Sequence, residues 1–483
     1  MNDIDIKDLG LLLPELILVG TALALILTAR RIQKANVAMA ATVLAAVGAA
    51  IAVIASVAWL SADLPRTGFG DMITVDRYSQ FFKILIASAL ALTALLSERH
   101  VDAERVRPGE YHALLLLAST GMMFAASAID LLTLYLALEL TTLCSYILVG
   151  ITVERPKSNE AAIKYFLLGS FASAIFLYGI ALTYGVTGAT DFTTIASAIS
   201  ENGLGSNKIL LVAVGLLAAG LAFKIAAFPF HAWAPDAYEG ASAPVAAFLA
   251  AASKAAGLAA LGRVALVAFE SEARVMSAVL VGLATLSIIV GSIIAVAQTD
   301  MKRLLAYSSI AHAGYALLGF IAATSETGTS TGASATMTYA FLYVFMTLGA
   351  FGIVIALGER GERLDGYQGL AAQRPATAAL MLLFLLSLTG IPPTAGFAAK
   401  FVVILNVVRA GHMWLAVVAV VCSVVTAFVY MRVAVLMYMK DPLEPAPPRF
   451  GVAVSAALAL AALVTVIGGI LPGSLTAWAV PPR

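Results

Sequence analysis

The feature that most limits how this chain can fold is a succession of long apolar runs with few charges. A helix needs about 20 predominantly apolar residues to cross a membrane, and the 483 residues contain about 14 such runs. Only 12% of the residues are charged, against about 25% in an average soluble domain. Because the runs are continuous and do not alternate, they favour helices over the strands of a membrane barrel. The sequence therefore predicts an all-α polytopic membrane protein.

Two of the predicted transmembrane segments are unusual because they are overlong and contain proline. The segments lie near residues 9–29, 36–60, 78–97, 110–128, 129–150, 161–187, 208–233, 243–262, 275–297, 303–323, 334–358, 376–410, 413–440 and 452–471. Pro229 interrupts the seventh and Pro392–Pro393 the twelfth. Proline removes a backbone hydrogen bond and clashes one turn back, so both helices should be broken near the middle of the membrane, with Pro229 disturbing the carbonyl of Ile225.

Orientation follows from the distribution of lysine and arginine among the loops, since cytoplasmic loops carry the excess. The first loop contains Arg30, Arg31 and Lys34. If this loop is cytoplasmic, that side collects most of the basic loop residues. With 14 spans, both termini then lie on the non-cytoplasmic side. No removable signal peptide is expected, because the acidic start MNDIDIKDLG precedes a run without a small-residue cleavage site.

Several kinds of chemistry are not expected on this chain. Cys144 and Cys422 both lie in apolar runs and offer neither a disulfide framework nor the spacing of a metal or iron–sulfur site. Haem-binding and dinucleotide-binding motifs are not found either. A net charge of +1 gives no reason to expect a nucleic-acid partner. We therefore expect no metal, no bound cofactor and no redox chemistry of the chain's own.

Glu139 is the clearest candidate for function, because it falls about eleven residues into its span. An ionisable side chain at this depth is costly and usually functional. Tyr135, Thr142 and Tyr146 share its helix face, and this polar stripe should face other helices or a hydrated cavity. A purely structural, hydrogen-bonded glutamate is the alternative.

Three of the lysines within predicted spans lie deep in the membrane or in a broken helix. Lys254 is surrounded by small residues, which allow close helix packing, and its ammonium should point into the bundle. Lys224 and Lys400 belong to the two proline-broken helices, where irregular backbone is tolerated only if it is buried in protein or lines water. Both should border water, although Lys224 could instead extend towards the cytoplasmic surface.

The remaining intramembrane ionisable groups are less distinctive. His312 is central in its span, with Ser308 and Tyr315 nearby, so a proton relay and a satisfied core histidine are about equally favoured. Lys164 follows Glu160 by four residues, a favourable helical pairing, and forms either a structural pair or the mouth of a pathway. Lys83 and Arg432 lie towards the ends of spans and should extend to the membrane surface.

The broken helices indicate an internal repeat. Lys224 and Lys400 are 176 residues apart, and Glu139 and His312 are 173 apart. These near-equal offsets predict two five-helix units, residues 110–268 and 269–440, flanked by three helices in 1–109 and a last helix in 441–483. Because five is odd, the second unit must be inverted, as in many transporters with broken helices at their sites.

Three segments resemble the antiporter-like subunits of respiratory complex I, the proton-translocating NADH-quinone oxidoreductase. They are FKIAAFPFHAWAPDAYEGASAPVAAFLAAASK (223–254), TDMKRLLAYSSIAHAGY (299–315) and GIPPTAGFAAKF (390–401). The resemblance extends over essentially the whole chain. It is strongest to the N-type members, because of LLLPELIL (11–18), because Lys400 stands where M-type members have glutamate, and because no long lateral helix follows the last span.

The resemblance implies roles for individual residues. It implies that Glu139 and Lys224 form a charge pair, that Lys254 connects the two halves, and that Lys400 belongs to an exit half-channel, with His312 between them. Lys164, Tyr135 and Tyr315 are possible further residues of this path.

The resemblance also implies a membrane subunit of an enzyme, which pumps protons as quinone is reduced elsewhere in the complex. Its partners would be K-type and M-type neighbours in the bacterial inner membrane and, through them, a redox arm with NADH, FMN, iron–sulfur clusters and quinone. A subunit of a multi-subunit sodium–proton antiporter, a hydrogenase-linked pump and a purely structural subunit remain as alternatives.

Overall fold

The computed structural model describes residues 6–28, 37–103, 106–325, 330–443, 445 and 450–482, and most of them are helical. Arg30, Arg31 and Lys34, which began the orientation argument, lie outside the described residues. The helices of the first part are α1 (Leu13–Thr28), α2 (Val37–Trp59), α3 (Arg77–Ala103), α4 (Pro108–Ser127), α5 (Leu131–Val149), α6 (Pro156–Thr187), α7 (Phe192–Glu201), α8 (Lys208–Lys224), α9 (Trp233–Gly240), α10 (Ala243–Phe248) and α11 (Lys254–Arg263).

The second part is also helical. Its helices are α12 (Ala273–Val296), α13 (Met301–Thr324), α14 (Ser330–Leu357), α15 (Glu359–Glu362), α16 (Leu370–Gln373), α17 (Pro375–Thr389), α18 (Ala395–Arg409), α19 (Met413–Met439), α20 (Val452–Ile470) and α21 (Pro472–Trp478). Short 3-10 helices cover Ile6–Leu12, Leu204–Ser206, Glu270–Glu272 and Asp365–Tyr367. A hairpin of β1 (Arg66–Gly68) and β2 (Ile73–Val75) is the one sheet in the described part of the chain.

The all-α membrane fold predicted from the sequence is confirmed. Every predicted transmembrane segment coincides with a helix or a pair of helices, and 11 helices of the described residues are long and apolar enough to cross a membrane. The shorter helices α8, α17 and α18 belong to the two segments that were expected to be broken. The count of 14 spans stays a prediction.

The first break begins earlier than its proline. Helix α8 already ends at Lys224, so Pro229 lies outside it and does not act on the carbonyl of Ile225 as expected. The next turn passes through Ala226, whose φ is +54°, and the Ala226 amide donates to the Phe223 carbonyl over 3.0 Å. The Trp233 indole donates to the same carbonyl over 3.0 Å. The Phe223 carbonyl at the end of α8 is therefore hydrogen-bonded within the protein.

The second break lies where it was predicted, between α17 and α18. Gly390 follows α17 with φ +90°, a conformation that costs glycine little. Its amide donates to the carbonyls of Leu386 and Ser387. After Pro392–Pro393 the chain resumes a helix at Ala395. This break places Thr389 and Lys400 side by side.

A helix without a break carries Lys254 through the interior. The segment Ala243–Ala268 is completely buried along its apolar window and contains two π-helical turns, Leu249–Ser253 and Val264–Ala268. Lys254 directly follows the first of them. Such turns inside α-helices occur frequently at functional sites, because they redirect the side chains around them.

Helices α5 and α13 begin in the same way, which favours the predicted repeat. Asp130 accepts the amide of Thr133 and Asp300 that of Arg303, both over 2.8 Å. Each aspartate also forms an isolated antiparallel bridge with a residue some sixty positions later, Asp191 for Asp130 and Arg363 for Asp300. Equivalent caps and bridges in the two halves are what two copies of one unit require.

Two basic residues do not extend to the membrane surface as expected. Lys83 is completely buried between α1 and α3, with its ammonium 2.8 Å from the carboxylate of Glu15. Arg432 donates to the carbonyls of Val296 (3.0 Å) and Gln298 (2.6 Å) at the end of α12. The expectation failed because depth along one helix does not show which neighbouring helix supplies an acceptor.

Candidate functional site

Glu139 and Lys224 form a loose ion pair between α5 and the broken end of α8. The Lys224 ammonium lies 3.5 Å from a Glu139 oxygen and donates to the Thr142 hydroxyl over 2.7 Å. The Ser173 hydroxyl on α6 donates to the same Glu139 oxygen. The side chains of Lys224 and Glu139 are 10% and 23% exposed. Each charge thus has a hydroxyl partner besides the other charge.

The members of the polar stripe on α5 contact α6 and α8. Thr142 is buried and in contact with Lys224, as the shared helix face requires. Tyr146 is buried and packs edge-on against Tyr165. Tyr135 is half-buried and stacks on Phe176 of α6. The stripe therefore faces other helices, and Thr142 is the member that binds the lysine.

Lys254 is turned into the bundle, as its small neighbours indicated. Its side chain is buried, and the ammonium donates to the backbone carbonyl of Ser309 on α13. Gly257, one turn later, is so close to the first break that a Cβ there would lie 2.6 Å from Ile225. The helix that carries Lys254 therefore packs against the first break through Gly257 and is bonded to α13 through Lys254.

A small cavity lies between Lys254 and His312. Its volume is about 10 Å³, and it is bounded by Lys254, His312 and the tyrosines Tyr339 and Tyr343 together with Ile225, Leu258, Ala313 and Ala316. This is about the space that one water molecule needs. His312 Nδ1 and the Tyr339 hydroxyl share a hydrogen bond of 2.6 Å. The cavity thus brings two ionisable groups and two phenols together.

Lys400 is held at the second break by three contacts. Its ammonium donates to the carbonyl of Thr389, the last residue of α17, over 2.9 Å, and to the Ser423 hydroxyl over 3.3 Å. It also lies 4.5 Å from the centre of the Tyr315 ring, within the range of a cation–π interaction. The carbonyl left free at this break therefore binds the Lys400 ammonium.

Tyr315 connects Lys400 to His312. The ring centres of Tyr315 and His312 are 6.0 Å apart, and the Tyr315 hydroxyl shares a 2.9 Å hydrogen bond with Ser423. Of the predicted residues, the structure thus brings Lys254, His312, Tyr315 and Lys400 into one cluster.

The Glu139–Lys224 pair and the cluster around His312 meet through an apolar contact. Ile225 directly follows Lys224 and also lines the cavity beside Lys254, and its side chain packs against Gly257. The predicted row is therefore continuous in space, but its first pair and its central part are joined by packing rather than by a hydrogen bond.

Lys164 lies apart from this row, in a charged cluster that fixes α9. Its ammonium pairs with Glu160 (2.7 Å) and Asp236 (3.0 Å), and its side chain is 46% exposed. The predicted helical pair with Glu160 is confirmed. Asp236 and Glu239 of α9 also pair with Arg303 of α13, at 2.7 and 2.9 Å.

The electrostatics of α9 follow from these pairs. Partial burial raises the pKa of Asp236, but hydrogen bonds from Arg303 and Lys164 outweigh it and hold the pKa below its ordinary value. The pKa of Glu239 is lowered in the same way, by Lys157 and Arg303 against partial burial. Both carboxylates therefore stay charged and clamp α9 between α6 and α13.

Sequence reasoning missed the hydroxyl groups that complete the site, among them those of Ser173, Tyr339 and Ser423. Serine and threonine in apolar helices commonly bond to their own backbone, as Thr141 and Ser145 do here. Their presence in a sequence therefore carries little information. Within the described residues, no group of three or more His, Cys, Asp or Glu side chains could hold a metal ion.

A family model described as NADH:quinone oxidoreductase/Mrp antiporter, TM, matches residues 128–426. Among curated proteins, NADH-quinone oxidoreductase subunit N of Desulfovibrio desulfuricans is 43% identical over 98% of this chain and 96% of its own. The protein of the same name from Trichlorobacter lovleyi is 41% identical over 96% of this chain and 94% of its own.

Solved structures give the same result for the fold. A chain of respiratory complex I from Thermus thermophilus, solved with bound aureothin, is 34% identical, with a TM-score of 0.81 over 97% of this chain and 100% of the other. A chain of the Mrp complex from Dietzia superposes with a TM-score of 0.84 over 97% and 96%, at 21% identity. At that identity the likeness shows the fold alone.

Proposed function

The chain belongs to the NADH:quinone oxidoreductase/Mrp antiporter transmembrane family and is a membrane subunit of NADH-quinone oxidoreductase, and we propose that a row of buried ionisable residues carries the protons it translocates. The row consists of Glu139, Lys224, Lys254, His312 and Lys400, with Tyr315 beside it. Tyr135 stacks on Phe176, and Lys164 pairs with Glu160 and Asp236; we place both outside the main path.

The observation that carries this proposal is the loose pair of Glu139 and Lys224 at the end of α8. A pair that served only stability would be expected to be tight, with each charge bonded mainly to the other. Here the charges are 3.5 Å apart, and each is already bonded to a hydroxyl, Ser173 or Thr142. These partners can hold each side chain when the other moves away.

The electrostatic energy of this pair is comparable with the energy needed to move a proton against the membrane potential. At an effective dielectric of about 20, two unit charges 3.5 Å apart attract by about 5 kcal/mol, and at about 7 Å by about half as much. Opening the pair therefore changes the energy of the lysine proton by about 2.4 kcal/mol. Moving one charge against 100 mV costs about 2.3 kcal/mol. The energy change on opening the pair is therefore about equal to the energy needed to move one proton against this potential.

The second half of the row supplies the route onwards. Lys254 and His312 line one small cavity and therefore lie side by side. Tyr315 packs beside His312, and its hydroxyl shares a hydrogen bond with Ser423, which also accepts one from Lys400. Lys400 is bonded to a carbonyl and a hydroxyl, neither of which is charged, so it can release its proton without breaking an ion pair.

The organisation of the whole chain follows from the same proposal. We assign residues 110–268 and 269–440 to two inverted five-helix units, flanked by 1–109 and 441–483. The chain lies in the bacterial inner membrane with both termini on the non-cytoplasmic side and K-type and M-type subunits as neighbours. NADH, FMN, iron–sulfur clusters and quinone would belong to partner subunits.

The test replaces the charges of the pair in the intact complex. In Glu139→Gln and Lys224→Met, we expect NADH-driven proton uptake into inverted membrane vesicles to fall at least tenfold, which corresponds to about 1.4 kcal/mol in a rate. The yield of purified complex should stay close to that of the wild type. Matched controls are Glu201→Gln and Lys208→Met, which remove the same charges from exposed positions.

Full proton uptake in well-assembled Glu139 and Lys224 variants would refute the role of the pair and favour a structural subunit. Strictly sodium-dependent transport by a complex lacking flavin would favour the antiporter alternative.

A further inference from the structure

Arg432, two turns before the end of α19, carries a charge that the chain orients but does not neutralise. Its guanidinium donates to the carbonyls of Val296 (3.0 Å) and Gln298 (2.6 Å) at the end of α12. Both acceptors are neutral. Within the described residues Arg432 forms no ion pair, and its Nε–H has no acceptor. The positive charge therefore lacks a counterion in the part of the chain that the structure describes.

Arg263 is the counterpart of this arginine in the first of the two proposed units. It donates to the Ala126 carbonyl at the end of α4 over 3.0 and 3.2 Å. Ala126 and Val296 are 170 positions apart, the offset that also separates the capping aspartates of the two units. The Arg263 guanidinium in addition makes two hydrogen bonds of 2.9 Å with Asp76, directly before α3. Arg432 makes similar carbonyl contacts without such a carboxylate.

The face of α19 that carries Arg432 is exposed along most of the helix. Its large side chains recur at intervals of three, four or seven residues, which places them on one side of the helix. We call this side the outer face of α19. It includes Trp414, Val421, Val424, Phe428, Val435 and Tyr438, with exposures between 41% and 67%.

The composition of the outer face is that of a surface in contact with lipid. Helices that pack together in membranes have small residues at the contact. Helix α11 has such a contact with α3, where a Cβ on Gly262 would lie 2.3 Å from the Tyr78 hydroxyl. The outer face of α19 instead consists of branched and aromatic side chains. Trp414 and Tyr438 lie at its two ends, about 36 Å apart, as aromatic residues do at the two surfaces of a bilayer.

Arg432 lies below the level of the lipid headgroups that Tyr438 marks. Tyr438 follows it by six residues, a rise of about 9 Å. The half-buried guanidinium is tied to α12 rather than extended into water. A charge at such a depth is costly, and local thinning of the bilayer, which brings headgroups inwards, reduces the cost. Because guanidinium binds phosphate through two parallel hydrogen bonds, a lipid phosphate is the anion that suits this position.

We propose that Arg432 and the outer face of α19 bind one anionic phospholipid, with its phosphate on the guanidinium and an acyl chain along Phe428, Val424 and Val421. The helix rises about 16 Å from Arg432 to Val421, about half the thickness of the hydrocarbon core and thus one leaflet. An anionic lipid suits the site better than a zwitterionic one because the lipid alone supplies the compensating charge. Lipid binding here does not depend on the proposed proton path.

Photochemical crosslinking in the assembled complex identifies what touches the outer face. The photoreactive residue p-benzoylphenylalanine replaces Phe428, which is one turn from Arg432 and 60% exposed. The purified complex is reconstituted in vesicles of phosphatidylcholine with a minor share of phosphatidylglycerol, and the adducts are identified by mass spectrometry. We expect phosphatidylglycerol to be enriched about fivefold over its share of the vesicle lipid, which corresponds to about 1 kcal/mol.

Two comparisons assign the enrichment to Arg432. In Arg432→Gln, the adducts at position 428 should return to the composition of the vesicle. The matched control places the same photoreactive residue at Leu463, which is 55% exposed on α20, a helix without charged residues. Lipid adducts at Leu463 should have the vesicle composition whether or not Arg432 is present.

A map of the wild-type complex in the same lipid requires no variant, and a phosphate is expected within hydrogen-bond distance of the Arg432 guanidinium. Adducts with a peptide of another subunit would overturn the proposal and identify the outer face as a protein interface. Lipid adducts in bulk proportion, or enrichment that persists in Arg432→Gln, would also overturn it. None of these measurements involves pumping, so their outcome is independent of whether the proposed proton path fails.

Discussion

Single residues show how the same two charges can serve opposite purposes in one bundle. Glu15 and Lys83 are 1% and 0% exposed and 2.8 Å apart, and the contact is an ion pair without the alignment of a hydrogen bond. Glu139 and Lys224 are more distant, partly exposed and bonded to hydroxyls. A dry pair cannot separate without leaving a bare charge in the interior, so we assign Glu15 and Lys83 to stability and the other pair to transport.

This contrast predicts different mutant phenotypes. Glu15→Gln leaves the Lys83 ammonium buried without its partner, a change that typically costs about 3–5 kcal/mol, and the yield and thermal stability of the complex should fall. The double variant Glu15→Gln/Lys83→Met removes both charges and should recover most of the loss. Glu160→Gln, in an exposed helical pair, is the control and should have little effect. A double variant no more stable than Glu15→Gln would contradict this assignment.

The ionisable residues of the site could be predicted from the sequence, because a charge within an apolar run is rare and conspicuous. Their neutral partners could not. Ser173 and Ser423 look like the many hydroxyl residues that bond within their own helices, and only the packing of α6 and α19 brings them to Glu139 and Lys400. The pairing of Lys83 with Glu15 was missed because it also depends on how two helices pack, in this case α1 and α3.

At the scale of helices and loops, the second break positions a functional side chain through its backbone. Gly390 has φ +90°, and a Cβ there would lie 2.9 Å from Cδ of Lys400. Gly390→Ala should therefore strain the turn and displace Lys400, lowering proton uptake. Gly411, with φ +87° and open space around it, provides the matched control. Gly411→Ala carries a similar backbone strain of about 1–2 kcal/mol but should pump normally. Equal pumping defects in the two variants would show that strain alone is responsible.

Helix α9 is the element whose position depends most on pH. The pKa values of Asp236 and Glu239 are held below their ordinary range by cationic partners. A carboxylate with a lowered pKa in the folded state stabilises it above the unfolded pKa, and this contribution is lost as the pH falls through the folded value. The docking of α9 should thus be strongest near neutral pH and weaken in acid, below a pH of about 4.

Hydrogen exchange measures this effect directly. Protection factors of residues 233–240 should decrease as the pH is lowered from neutral, whereas those of the buried helix α11 should change little. In Asp236→Asn/Glu239→Gln, the protection of α9 should be low already at neutral pH. Protection of α9 in that variant equal to the wild type would show that apolar contacts, such as that between Trp233 and Tyr165, hold the helix alone.

Across the whole molecule, the sequence predicted the helical architecture and the approximate repeat, but not the register between the halves. The capping residues Asp130 and Asp300 are 170 positions apart, rather than the 173 that separate Glu139 from His312. In this register His312 corresponds to Thr142, the residue that binds Lys224. The ionisable groups are conspicuous in the sequence, but the helix caps predict a register that differs from theirs by three residues.

The direction of transport depends on how the whole molecule lies in the membrane, and this can be tested at two exposed positions. The charge distribution of the loops predicts that Asn202, at the end of α7, lies on the non-cytoplasmic side, and that Glu359, in α15, lies in the cytoplasm. Asn202 is exposed and the Glu359 side chain is 91% exposed. Both native cysteines are buried, so a membrane-impermeant maleimide should react mainly with an introduced cysteine.

In intact spheroplasts, we expect labelling of Asn202→Cys and not of Glu359→Cys, which should react only in inverted vesicles. This result would place the charged surface of α9, which pairs with Arg303 beside the α15 region, on the side from which protons are taken up. The reverse pattern would place that surface on the opposite side of the membrane. Lys400 would then lie towards the side of proton uptake, and the proposed exit would have to be assigned to the opposite side of the membrane.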